Sequence, residues 1–77
     1  MENRIKEVMA IVLQISESEI NDKTSMKTLT HWDSINHISL ITALEQEFTV
    51  RFNYTEMAAM VSYPIIRETV MKKLKPA

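Results

Sequence analysis

Where apolar residues gather along this chain, they do so mostly at the spacing of a helix face. In "RIKEVMAIVLQI" (residues 4–15), Ile5, Val8, Met9 and Val12 recur at helical intervals. Ile11, Leu13 and Ile15 widen that stripe, which predicts a first helix covered on more than one side. A second pattern begins at "HWDSINHISL" (residues 31–40). Asp33 suits an N-cap and puts Ser34 at the first helical position. At about 100° per residue, His37, Leu40, Ile41, Leu44 and Phe48 then form one stripe that faces the core. Ile35, Ser39, Thr42, Ala43 and Gln46 fall on the opposite side, with Ile38 at the edge. "NYTEMAAMV" (residues 53–61) offers Asn53 with Glu56 three residues later, a capping box that opens a short helix. Pro64 suits the first turn of a further helix, with Ile66, Val70 and Leu74 on one face.

Strand signals are weak. "FTVRFNY" (Phe48 to Tyr54) alternates briefly, but a lone strand has nothing to pair with. Between the first two helices lies "SESEINDKTSMKTLTHWD" (residues 16–33), long for a bundle connection and so either functional or ordered by its own side chains. Ile20, Met26 and Leu29 are its expected anchors. The pattern predicts an all-α fold: a small antiparallel four-helix bundle with a long loop between the first and second helices.

Length and composition narrow the setting. The 77 residues make a single domain, 1–77, near the lower limit for a self-supporting core, and a monomer is expected. The chain has no cysteine, which excludes disulfides and thiolate metal sites. No basic-then-apolar leader opens it and no apolar run approaches membrane-spanning length, so the expected setting is cytoplasmic. The absence of glycine removes phosphate-cradling loops and dinucleotide fingerprints. Residues 17–56 carry seven acids against three bases, and residues 57–77 carry Arg67, Lys72, Lys73 and Lys75 against Glu68 alone. The acidic centre argues against nucleic acid as a partner. The lysines of the tail read as complements to a helix dipole.

A hydroxyl at the first turn of a helix stands beside free N–H groups and the positive end of the dipole, a place that tolerates phosphate. Ser34 is therefore either an ordinary cap-region residue or the acceptor of a phosphate-bearing group. Here the sequence resembles a family. "WDSINHISLITALEQEF" (residues 32–48) looks like the signature of acyl carrier proteins, in which Asp-Ser-Leu or Asp-Ser-Ile opens the second helix and an acidic tail closes it. Length, the long first loop, the capped third helix and the fourth helix fit as well.

The resemblance implies that Ser34 carries covalent 4′-phosphopantetheine, transferred from coenzyme A by a phosphopantetheinyl transferase. The thiol of that arm would hold acyl groups as thioesters. Asp33 would cap the helix and help hold the metal in the transferase complex, while the chain itself binds no metal and supplies no catalytic residue. Trp32, Ile35, Ile38, Ser39, Thr42 and Glu45 become the expected partner face, with Glu47 the second acid that matches the family's tail. The partners would be an acyl-activating ligase or acyltransferase and downstream acyl-using enzymes. Members serving fatty-acid synthesis usually carry acids two and five residues after the serine, where this chain has Asn36 and Ser39, and a glycine ahead of the aspartate, where it has "THW". Those departures point to a dedicated carrier of a specialised pathway. A D-alanyl or peptidyl carrier, or an unmodified helical interaction module, are the alternatives.

Four further readings arise. A Ser34–His37–Asp33 hydrolase fails because the orienting acid must lie on the far side of the base from the nucleophile. His31 and His37 lack a third ligand at helical spacing, so loop and core histidines are expected. Six methionines (Met1, Met9, Met26, Met57, Met60, Met71) either fill gaps in a small core or line a cavity for an acyl chain. Trp32 either packs the loop or presents its ring to the arm.

Overall fold

Asp33 starts the central helix as its side chain requires. With the backbone extended (φ −99°, ψ −176°), its carboxylate accepts the Asn36 N–H at 2.9 Å. The structure, a computed structural model, describes residues 2–74. Met1 and Lys75 of the readings above lie outside the described residues. The described part holds four helices: α1 (Glu2–Leu13), α2 (Ser34–Phe48), α3 (Tyr54–Ala59) and α4 (Tyr63–Leu74). A short 3-10 turn spans Glu17–Glu19. The described residues form no strand, and the alternating stretch from Phe48 becomes the end of α2 and an irregular link. The only bridge among them pairs Ser25 with Ser62.

The core is built from the predicted stripes. Ile5, Val8, Met9 and Leu13 of α1, Leu40, Ile41 and Leu44 of α2, and Ile66 and Val70 of α4 are all buried. Met60, just past α3, and Tyr63, which opens α4, join it, as do Ile20 and Trp32 of the loop before α2. Burial pushes the Tyr63 phenol up from its ordinary value, and its hydroxyl donates to Glu2 at 3.2 Å. Two expectations need correction. Ile11 is 77% exposed and so drops out of the widened stripe of α1, whereas Leu13 is buried and Ile15 packs partly against the core. Ala43, placed on the outer face of α2, is half-buried against the core.

With no glycine, α1 and α2 end on residues held in the left-handed region. Gln14 (φ 57°) lets the Ile15 N–H reach back to Ala10 O at 3.1 Å. Thr49 (φ 55°) does the same for Val50 N–H and Glu45 O, also at 3.1 Å. A β-branched residue there is strained by about 1–2 kcal/mol. Thr49 is exposed. Thr49→Gly is therefore expected to stabilise the domain by about 0.5–1 kcal/mol after the entropy lost by glycine, read as a rise of a few degrees in Tm.

The long loop is ordered by its own polar side chains and by three apolar anchors. Buried Thr24 accepts the Asn21 N–H at 2.9 Å and donates to Glu19 O at 3.1 Å. The Tyr63 N–H bonds Thr24 O at 2.9 Å and the Met26 N–H bonds Val61 O at 3.0 Å, tying the loop to the α3–α4 link. Ile20 is buried, while Met26 and Leu29 are partly buried against the core, as expected. The 3-10 turn was not foreseen, although Ser16 and Glu19 form its capping box.

The short α3 has no fully buried residue and is fastened by polar groups. Its capping box joins Asn53 and Glu56. Lys73 Nζ lies 2.8 Å from Glu56 Oε1, so this lysine ties α4 to α3 instead of only complementing a dipole. The Lys73 ammonium, and after it the Asn53 N–H, hold the Glu56 carboxyl below its ordinary value. A lowered native value adds stability above the unfolded carboxylate's value of about 4.3, and this is lost as pH falls through the native value. Glu56→Gln should thus lower Tm at pH 7, and the difference should shrink as pH falls below the ordinary carboxylate range in paired thermal melts.

The tip of the second helix as candidate functional site

Ser34 is the first residue of α2 and is exposed. Asp33 occupies the Asn36 N–H with its side chain, and its carbonyl accepts the His37 N–H at 2.8 Å. The N–H groups of Ser34 and Ile35 have no protein partner among the described residues. The serine hydroxyl therefore stands in solvent beside two free donors at the positive end of a 15-residue helix. Asn36 Nδ2 donates to His31 O at 2.6 Å, which fixes the loop to the tip. That bond gives a local reason for an amide at this position, since a carboxylate would face the carbonyl without a proton to give. The sequence offered no signal for it beyond Asn36's place two residues after the serine.

Beneath the tip, Trp32 and His37 form a buried pair. Trp32 is 2% exposed, which corrects its expected place on a partner face and settles its two open readings as packing of the loop. Indole N–H can only donate, so the Trp32 Nε1 bond to His37 Nδ1 at 3.0 Å makes Nδ1 the acceptor. The neutral ring then carries its proton on Nε2, which donates to Met57 O at 2.8 Å. One imidazole joins the loop, α2 and α3. Both of its nitrogens are engaged inside the fold, so it offers no base to Ser34.

The remaining expected residues divide by exposure. Ile35 is 77% exposed and Ile38 60% exposed, one helical turn apart beside the serine. Ser39 and Thr42 are exposed on the same side. Glu45 is half-buried and accepts the Phe52 N–H at 2.9 Å, which braces the link after α2. Glu47 pairs with Arg4 at 2.6 Å. His31 is exposed, and no group of three or more possible ligands that could hold a metal occurs among the described residues.

The described methionines do not share a cavity. Met9 and Met60 are closed in the core, and Met26 and Met57 pack partly against it. A mainly apolar surface depression, about 350 Å³, is lined by Met26, Val61 and Ile65 with Ser25, Lys27 and Ser62. Among the described residues, no helix is long and apolar enough to cross a membrane.

No family model matches the chain. Its structure is similar to the solution NMR structure of a holo acyl carrier protein from Geobacter metallireducens. The two superpose with a TM-score of 0.84 at 23% sequence identity, over 95% of this chain and 84% of that one. Four helices, the long ordered loop before α2 and the capped serine at its tip thus occur together in a chain that has the acyl carrier protein fold.

Proposed function

We propose that the chain is an acyl carrier, with Ser34 as the attachment point for 4′-phosphopantetheine. The observation that carries this reading is the exposed Ser34 hydroxyl at the capped tip of α2 in an acyl carrier fold. The residues fit the group. The hydroxyl is open to a transferase, and the free N–H groups of Ser34 and Ile35 lie where a phosphodiester anion is favoured. When bound, the group supplies a thiol that holds an acyl chain as a thioester. Asp33 keeps the tip in register by holding the Asn36 N–H, and contributes a carboxylate beside the serine for the transferase's metal. The chain acts as a substrate for other enzymes and contributes no catalytic residue of its own.

Asn36 and Ser39, standing where fatty-acid-synthesis carriers place acids, support a dedicated carrier in a specialised pathway. Its partners are then a phosphopantetheinyl transferase, an acyl-activating ligase or acyltransferase, and the enzymes that use the acyl group, in the cytoplasm. Because the chain has no cysteine, the arm brings its only thiol. Incubation with coenzyme A, Mg²⁺ and a broad-specificity transferase, followed by removal of small molecules, should raise the thiol count from zero to one per chain. The intact mass should rise by one phosphopantetheine. A count that stays at zero would remove the carrier reading and leave an unmodified interaction module.

A further inference from the structure

We infer that Asn36 is a positioning residue for phosphopantetheine transfer: its amide holds the segment ahead of Ser34, so that an acid at this position hinders loading instead of helping it. The inference rests on the carrier reading and concerns how the helix tip is presented to the transferase. Asn36 is half-buried in the first turn of α2 and is tied to the preceding segment at two points. Its backbone N–H is accepted by Asp33 Oδ1 at 2.9 Å, and its Nδ2 donates to His31 O at 2.6 Å.

In a capping box, the side chain three residues after the cap accepts the cap's own N–H. Glu19 and Glu56 do this in the 3-10 turn and in α3. At α2 the direction is reversed, because the side chain in that place donates to a carbonyl ahead of the cap. An amide can make this bond, and an ionised carboxylate of the same shape cannot, having no proton to give. Trp32 is fastened separately, by its N–H to Leu29 O at 3.2 Å and by its indole to His37. Among the described residues, Asn36 alone joins the His31 backbone to the helix.

A transferase has to take the Ser34 hydroxyl and the neighbouring Asp33 carboxylate in one arrangement. A tip that leaves this arrangement part of the time is a poorer substrate by that fraction, which raises KM and leaves kcat of the bound carrier unchanged. Losing one ordinary hydrogen bond changes such a population severalfold. The opposite expectation holds if the side chain at this position is read directly by the partner, for then restoring an acid improves loading.

The test measures KM and kcat of loading with a broad-specificity transferase, coenzyme A and the intact chain, for wild type, Asn36→Ala, Asn36→Asp and Asn36→Gln. The alanine and aspartate variants should raise KM by about three- to tenfold with kcat within about twofold of wild type. Glutamine keeps the donor and should recover a large part of the loss. A carboxylate in the first turn suits the helix dipole, so Asn36→Asp should melt no lower than Asn36→Ala while loading no better. In the unloaded chain, backbone ¹H–¹⁵N NOE values of residues 31–34 should fall in Asn36→Ala and stay unchanged in the rest of α2. An aspartate variant that loads as well as or better than wild type would overturn this inference and leave the carrier reading intact. So would a glutamine variant as poor as alanine, or unchanged NOE values. A wild-type chain that takes no load would overturn both.

Discussion

Trp32→Ala is expected to leave little folded protein at 37 °C. The indole is 2% exposed and sits in the core beneath the helix tip. Truncating a buried tryptophan destabilises by about 3–5 kcal/mol, through lost burial and the cavity left behind. A 77-residue domain has a total stability of only about 4–12 kcal/mol. The loss extends beyond packing, because His37 Nδ1 is left inside the fold without its donor. The imidazole also bonds Met57 O, so loosening it weakens the hold on α3, which has no buried side chain of its own. Thermal melts followed by circular dichroism should show Tm lowered by tens of degrees or no cooperative transition. Trp32→Phe keeps most of the apolar area but not the N–H, and should fall between the two. A Trp32→Ala domain that melts within a few degrees of wild type would mean the indole is not a core residue.

Ser34→Ala is expected to do the opposite: abolish loading and leave the fold alone. The hydroxyl makes no hydrogen bond among the described residues, and the capping is done by Asp33. Alanine is the best helix former, so the first turn loses nothing and Tm should stay within about a degree of wild type or rise slightly. With no oxygen at that position there is nothing on which to build the phosphodiester, and the thiol count after incubation should remain at zero. Paired melting curves and thiol counts separate the two effects. Residual loading of the alanine variant at the wild-type stoichiometry would place the attachment elsewhere.

Much of the central helix was legible because its determinants are local. An aspartate before a 3.6-residue apolar period sets both the start of α2 and the stripe His37, Leu40, Ile41, Leu44 that it buries. The same holds for α3, whose Asn53–Glu56 box lies within four residues. The exposure of Ile35 followed from the same wheel.

What escaped the sequence depends on tertiary contacts that no local period announces. Trp32 lies in a loop without period, and its burial follows from meeting His37 and the core beneath α2. Nothing local shows that Glu47 meets Arg4, 43 residues away, or that Lys73 reaches Glu56. The acids of "ALEQEF" therefore read as free charges in sequence and turn out to be engaged in the fold. Of the extra apolar positions of the first segment, Leu13 and Ile15 do pack inward and Ile11 misled. The helix ends at Leu13 because Gln14 turns left-handed, and Ile11 is left in solvent with no element to cover it.

The most direct test locates the bond itself. Digest the transferase-treated chain and sequence the fragment spanning residues 31–40 by tandem mass spectrometry, under conditions that preserve phosphodiesters. The arm should be found on the oxygen of Ser34 and on no other hydroxyl, Ser39 included. Its recovery on a different residue, or an unchanged fragment from a chain that is demonstrably folded, would contradict the role given to this helix tip.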